Sequence, residues 1–177
     1  GIALQNVSVN VSAESLANPD LARTLKRRDD LPKKGLTFEL LETVFLDQVS
    51  EEYAATIDAL RKLGIGLEID DFGTGHASIA GVLALKPDRL KVARVFATDI
   101  DKKTARQKLM RGFIELAASV GAKTVVEGIE TEAEAEVLAE LGADVLQGYA
   151  FGRPMSLESF YRWAEDRQAA ASQTRSA

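Results

Sequence analysis

A regular alternation of strand-like and helix-like segments is the strongest constraint on how this chain folds. Short apolar segments predict six strands, at residues 7–11, 36–40, 64–69, 89–92, 123–126 and 144–147. Between them, apolar residues recur at the three-and-four spacing of helices, as in residues 52–63 and 109–120. Repeated strand–helix units of this kind predict an α/β fold, with a parallel sheet covered by helices.

Helix boundaries in the sequence agree with this pattern. Thr131 and Glu134 have the spacing of a capping box ahead of an apolar helix. Gly64, Gly121 and Gly142 stand where three of the predicted helices should end. A closed eight-stranded barrel needs about 250 residues, or about 30 for each strand–helix unit. The 177 residues therefore correspond to about six units, and about two more are expected before Gly1.

Composition narrows the possible partners. The net charge of −5 argues against binding a DNA or RNA polymer. There are no cysteines, which excludes disulfides and zinc–thiolate sites and fits a reducing compartment. No apolar run reaches the roughly 20 residues of a membrane span.

Polar side chains stand at or near the carboxyl end of nearly every predicted strand, where barrels hold their active sites. They are Asn10, Glu39, Asp70, Asp71, Lys91, Glu127 and Gln147. Taken singly, each could be a loop-capping group or a member of an ion pair inside the barrel. Together, hard oxygen donors without His or Cys suit Mg²⁺ or Mn²⁺. The chemistry that fits is metal-assisted hydrolysis of a phosphodiester by an activated water.

The run from Asp70 to Gly75 is the part of the sequence most typical of a metal and phosphate site. Two adjacent carboxylates at a strand end are costly unless a cation or a donor sits between them. Gly73 and Gly75 then allow tight turning and close approach to a ligand. The only histidine, His76, follows this loop and is interpreted as structural.

These motifs resemble the EAL-domain phosphodiesterases, which hydrolyse cyclic di-GMP to linear pGpG on a modified TIM-type (β/α)8 barrel. The resemblance runs in register over nearly the whole chain. It includes Asn10-Val11-Ser12, Phe38-Glu39-Leu40-Leu41-Glu42, the run from Asp70 to Gly75, Leu90-Lys91-Val92, the run from Val126 to Thr131 and the run from Gln147 to Pro154. It implies an EAL-like domain over residues 1–166, incomplete at its N-terminus, and a flexible tail over residues 167–177.

The resemblance also implies roles for single residues. Asn10, Glu39 and Asp70 would bind a first metal ion. Asp71 and Glu127 would help to bind a second, with Lys91 and Glu127 acting around the attacking water. Gln147 would contact substrate or order water. Glu42 would steady the loop formed by Gly73, Thr74 and Gly75.

The resemblance further implies a homodimer formed through that loop and the helices beside it. It also implies an attached GGDEF or sensor domain and a location in the bacterial cytoplasm, either free or as the cytoplasmic part of a larger sensor protein.

Two departures from the family pattern bear on activity. The Glu-Ala-Leu motif, whose glutamate is a metal ligand, does not occur in these residues and is expected upstream of Gly1. Ala93 stands where the family has Asp, so one negative charge near the site is missing. The alternatives are therefore an active cyclic-guanylate-specific phosphodiesterase and a non-catalytic receptor or dimerisation module. Another metal-dependent barrel enzyme acting on a phosphate is a more remote reading.

Glu68 is an additional acid that shares a strand face with Asp70, where the family has a small apolar residue. One hypothesis pairs it with Lys91 or Arg89 on the adjacent strand, so that it partly replaces the missing charge. The other lets it reach solvent through an end of the barrel.

Overall fold

The computed structural model describes residues 6–42, 51–75 and 79–174, and it consists of alternating strands and helices. Its strands are β1 (Val7–Asn10), β2 (Leu36–Leu41), β3 (Gly66–Phe72), β4 (Arg89–Val92), β5 (Lys123–Val126) and β6 (Val145–Leu146). Its helices are α1 (Ala13–Ala17), α2 (Leu21–Arg27), α3 (Glu51–Lys62), α4 (Ile79–Leu85), α5 (Arg94–Ala97), α6 (Thr104–Ser119), α7 (Glu132–Leu141) and α8 (Leu157–Thr174). Each of the six predicted strands is found, with small shifts at its ends.

The six strands are all parallel and lie in sequence order, β1-β2-β3-β4-β5-β6, in one sheet curled into a half-barrel. This confirms the predicted α/β barrel architecture. Each strand pairs with the next one along the chain, so all the carboxyl ends meet at one rim.

Alternation along the strands separates an apolar face from a polar one. Phe38, Leu40, Leu67, Ile69 and Leu90 are buried and pack with helix residues in one continuous core. The intervening residues, among them Glu39, Glu68 and Lys91, face the inside of the curled sheet. The apolar face therefore holds the helices, and the polar face is free to carry chemistry.

The predicted helix signals are confirmed. Thr131 and Glu134 form a reciprocal capping box at the start of α7, and Gly142 ends that helix in the left-handed conformation with φ of 94°. Helix α8 runs to Thr174 and so includes most of the predicted tail. The flexibility of that tail stays a prediction.

Candidate metal-binding active site

A β-bulge brings the two adjacent aspartates to the same place. Ile69 pairs with Leu90 and Phe72 with Val92, so Asp70 and Asp71 together lie opposite the single residue Lys91. Asp71 also has a left-handed backbone, with φ of 54°. Strict alternation would send the two side chains to opposite faces, but a bulge re-aims the extra residue. One carboxylate oxygen each from Asp70, Asp71 and Glu127 consequently lies within 4.8 Å of the others.

Lys91 lies at the centre of these acids. Its Nζ is 2.9 Å from Glu39 Oε2, 2.8 Å from Asp70 Oδ1 and 2.6 Å from Glu127 Oε1. The lysine is buried, with 4% of its surface exposed. We call Lys91 and these acids, with Asp71, the strand-end cluster. It unites residues from β3, β4, the end of β5 and, through Glu39, β2.

The cluster shifts the titration of its members. Burial by itself would lower the pKa of Lys91, but the hydrogen bonds it donates to Asp70, Glu127 and Glu39 raise that pKa above its ordinary value. Burial raises the pKa of Glu127, and the bond from Lys91 opposes this only in part. Lys91 is thus a permanent cation among an excess of carboxylates. Such an oxygen-rich set fits Mg²⁺ or Mn²⁺ by the chemistry of its donors.

Glu68 lies one layer deeper inside the half-barrel. Its side chain is 2% exposed, and its Oε2 lies 3.8 Å from Arg89 Nη1 and 3.3 Å from Ser8 Oγ, which donates to it. The hypothesis of a cross-strand partner is therefore confirmed for Arg89, and the alternative of a solvent-exposed Glu68 is wrong. Burial raises the pKa of Glu68 to about 7, with the charge of Glu39 adding to the effect. Whether Glu68 replaces the charge missing at Ala93 stays a prediction.

A side-chain hydrogen bond to Glu42 holds the loop that follows Asp71. Thr74 Oγ1 donates to Glu42 Oε2 at 2.8 Å, and Glu42 is buried at 3% exposure. Gly73 and Gly75 have φ of 97° and 111°, which favours glycine at both positions. His76 lies outside the described residues.

Two predicted site residues lie at the margins of the sheet. Asn10 ends β1 in register with Glu39, and its side chain is exposed. Gln147 follows β6, where its backbone N donates to Val126 O, and it too is exposed. Register thus brings Asn10 toward the strand-end cluster, and Gln147 borders it from the other side.

A neighbouring cavity was not predicted from the sequence. It has a volume of about 240 Å³ and is lined by Arg94, Glu127, Gly128, Glu130, Gln147, Gly148 and Tyr149. Arg94 and Glu130 form an ion pair of 2.5 Å across it. A Cβ at position 128 would lie 2.2 Å from Arg94 Cγ, so the Arg94 side chain can occupy this place only because residue 128 is glycine. The sequence feature that could have indicated this cavity is Gly128, directly after Glu127.

Comparisons with known proteins agree with this geometry. A family model described as "EAL domain" matches residues 2–154. The cyclic di-GMP phosphodiesterase NbdA of Pseudomonas aeruginosa is 34% identical over 164 residues, covering 88% of this chain and 21% of NbdA. The chain spans about a fifth of the length of the curated relatives it matches.

Solved structures share the fold as well. The PaMucR phosphodiesterase in complex with c-di-GMP is 31% identical with a TM-score of 0.78, covering 88% of this chain and 70% of that one. A manganese and c-di-GMP complex of Klebsiella pneumoniae BlrP1 is 27% identical with a TM-score of 0.76, covering 86% of this chain and 40% of that one.

Proposed function

Because the chain belongs to the EAL domain family, we propose that its strand-end cluster serves the metal-dependent hydrolysis of cyclic di-GMP to linear pGpG. The observation that carries the proposal is the convergence of Asp70, Asp71 and Glu127 around Lys91 at the carboxyl rim of the sheet. Relatives named as cyclic di-GMP phosphodiesterases, and the solved complexes with that dinucleotide, support the choice of substrate.

The proposed metal ligands follow from the donor set. Asn10, Glu39 and Asp70 would hold a first Mg²⁺ or Mn²⁺, and Asp71 with Glu127 a second. Their support is the oxygen cluster of Asp70, Asp71 and Glu127 and the register that brings Asn10 beside Glu39. When bound, divalent ions supply Lewis-acid activation of the phosphate and of the attacking water.

The side chains around the ions have separate tasks. Lys91 Nζ holds Glu39, Asp70 and Glu127 in one arrangement, and its positive charge stabilises the negative charge that develops on the phosphate. Glu127, which lines the 240 Å³ cavity, would orient the water, while Gln147, which lines the same cavity, would contact the substrate. Glu42 would steady the glycine loop through its bond to Thr74.

The proposal extends to the oligomer. Helix α4 follows the glycine loop and exposes Ile79 and Leu83, which are 59% and 54% accessible and lie one turn apart. An apolar pair at this place supports a homodimer through the loop and its neighbouring helix. Within the described residues, no helix is both long enough and apolar enough to cross a membrane.

One observation favours a second candidate, a non-catalytic receptor for cyclic di-GMP. Ala93 follows β4 directly after Lys91 and Val92 and is buried at 4% exposure, with its backbone N donating to Phe72 O. A methyl group at this position supplies no charge or ligand where the family has Asp. A site that binds the dinucleotide without cleaving it would be consistent with that loss.

Incubation of the full-length protein with cyclic di-GMP and Mn²⁺ separates the two candidates. We expect pGpG to accumulate, and Asp70→Asn to lower the rate at least about 100-fold, because the variant loses a charged ligand. Exposed Asp58→Asn on α3 is the matched control and should retain the full rate. Tight binding of cyclic di-GMP with no pGpG would make the protein a receptor.

A further inference from the structure

The bulge that carries Asp70 and Asp71 rests on an aromatic cluster formed by Phe72, Phe96 and Phe113. The ring of Phe113 in α6 meets that of Phe96 edge-on, with centroids 4.9 Å apart, and that of Phe72 at 5.9 Å. T-shaped contacts of this kind fix the rings relative to one another. The cluster therefore ties the end of β3 to α5 and α6.

Gly73 lies directly against this cluster. A Cβ at position 73 would come within 2.9 Å of both Phe113 Cζ and Phe96 Cε2. Real Cβ atoms do not approach carbon so closely, so only glycine allows the loop backbone to lie on the ring edges. The φ of 97° at Gly73 independently requires glycine.

Asp71, two residues earlier, has a backbone that needs such support. Its φ of 54° is costly for a residue with a Cβ, and such conformations persist only where the surroundings over-determine them. The hydrogen bond from Thr74 N to Asp71 O is long, at 3.3 Å. Packing of Gly73 on the rings, together with the Thr74–Glu42 bond, is what fixes the loop on the far side of the bulge.

We propose that Phe96 and Phe113 are positioning residues, which hold the Asp71 carboxylate beside Asp70 and Glu127 by supporting Gly73. Phe96 lies in α5, which begins at Arg94, three residues after Lys91. The aromatic cluster thus couples the strand end that bears Lys91 to the bulge of β3 that bears Asp71. This inference rests on the proposed function only where it concerns metal binding, since the support of the loop is independent of any ligand.

The test compares Phe113→Leu with Leu138→Ala in the full-length protein. Leu138 is fully buried in α7, in a core cluster that includes Val92 and Ile100. Phe96 and Phe113 also pack against this cluster, but Leu138 itself is not among the side chains nearest to Gly73. Both changes should lower stability. Only Phe113→Leu should speed hydrogen exchange of the 72–75 amides, by at least about tenfold relative to the amides of β2, because it frees the loop locally.

Metal binding gives the second measurement. Titration with Mn²⁺ should show at least about tenfold weaker binding in Phe113→Leu and less than about threefold in Leu138→Ala. Gly73→Ala should reproduce the Phe113→Leu effects, and it serves as the test if Phe113→Leu does not fold. The effects of Phe113→Leu and Gly73→Ala on Mn²⁺ binding should be non-additive in the double variant, since both changes disturb the contact between Gly73 and Phe113.

The outcomes distinguish the two proposals. Unchanged exchange at residues 72–75 in both Phe113→Leu and Gly73→Ala overturns the positioning role, whatever the metal result. Faster exchange in a protein whose wild type binds no Mn²⁺ supports the positioning role and refutes the proposed metal-dependent function.

Discussion

Acidic side chains in two regions of this molecule have their negative charge stabilised in opposite ways. In the strand-end cluster, Glu39, Asp70 and Glu127 share the one ammonium of Lys91, and burial raises the pKa of Glu127. At the start of α7, burial alone would also raise the pKa of Glu134, but hydrogen bonds from the backbone N–H groups of Glu130, Asp99 and Thr131 outweigh it and lower that pKa.

The difference separates a functional acid from a structural one. The Glu134 carboxylate accepts hydrogen bonds from backbone N–H groups, and these bonds stabilise its charge without a cation. The strand-end cluster contains four carboxylates, of which Glu39, Asp70 and Glu127 contact Lys91, its one lysine, and the cluster therefore carries an excess of negative charge. An arrangement that leaves this excess at a barrel rim is suited to further cations.

Among substitutions in the two groups, removal of Lys91 should cause the largest loss of stability. Lys91→Met leaves three partly buried carboxylates without their shared cation, and we expect the free energy of unfolding to fall by about 3–5 kcal/mol. Urea unfolding monitored by circular dichroism measures the change. Addition of Mn²⁺ should reduce the stability difference between Lys91→Met and wild type, because a divalent ion can bind the carboxylate oxygens that Lys91 no longer contacts.

Lys123→Met is the matched control, since Lys123 is exposed at the start of β5. It should change stability by no more than about 0.5 kcal/mol. If Lys91→Met lowered stability by less than about 1 kcal/mol, the acids would not depend on the lysine, and the contrast drawn with Glu134 would fail.

Much of this contrast was accessible from the sequence, because it depends on local patterns. The spacing of Thr131 and Glu134 predicted the capping box, and the alternation of strands and helices predicted a common rim for Glu39, Asp70, Lys91 and Glu127. Both inferences use only the period of a helix or a strand and the parallel order of the sheet.

What the sequence did not predict depends on departures from those periods. Alternation cannot place Asp70 and Asp71 together, since that placement depends on a β-bulge and on the left-handed backbone of Asp71. The Arg94–Glu130 pair likewise joins the helix after β4 to the loop after β5. Such contacts between distant segments are set by tertiary structure rather than by a local pattern.

Truncation of Glu134 should have a smaller effect than loss of Lys91. Glu134→Ala leaves three backbone N–H groups without their acceptor, and we expect a loss of about 1–3 kcal/mol in the free energy of unfolding. Glu136, on the same helix, is exposed, and Glu136→Ala should change the free energy of unfolding by less than about 0.5 kcal/mol. Mn²⁺ should stabilise Glu134→Ala and wild type equally, so the stability difference between them should not change. A decrease in that difference comparable to the one expected for Lys91→Met would show that the two groups are not distinct.

The pH dependence of Glu134 gives the smallest and most specific effect. Because its pKa is lowered in the folded protein, the folded state binds this proton less tightly than the unfolded chain, whose glutamates titrate near about 4.3. Its contribution to stability is therefore fully present above that value and is lost as the pH falls through the lowered pKa. The stability difference between wild type and Glu134→Gln, from urea unfolding at several pH values between about 7 and about 3, should shrink toward the acid end. A difference that stays constant over this range would mean that Glu134 contributes by shape alone, and the charge-based distinction between the two groups of acids would then have no support from α7.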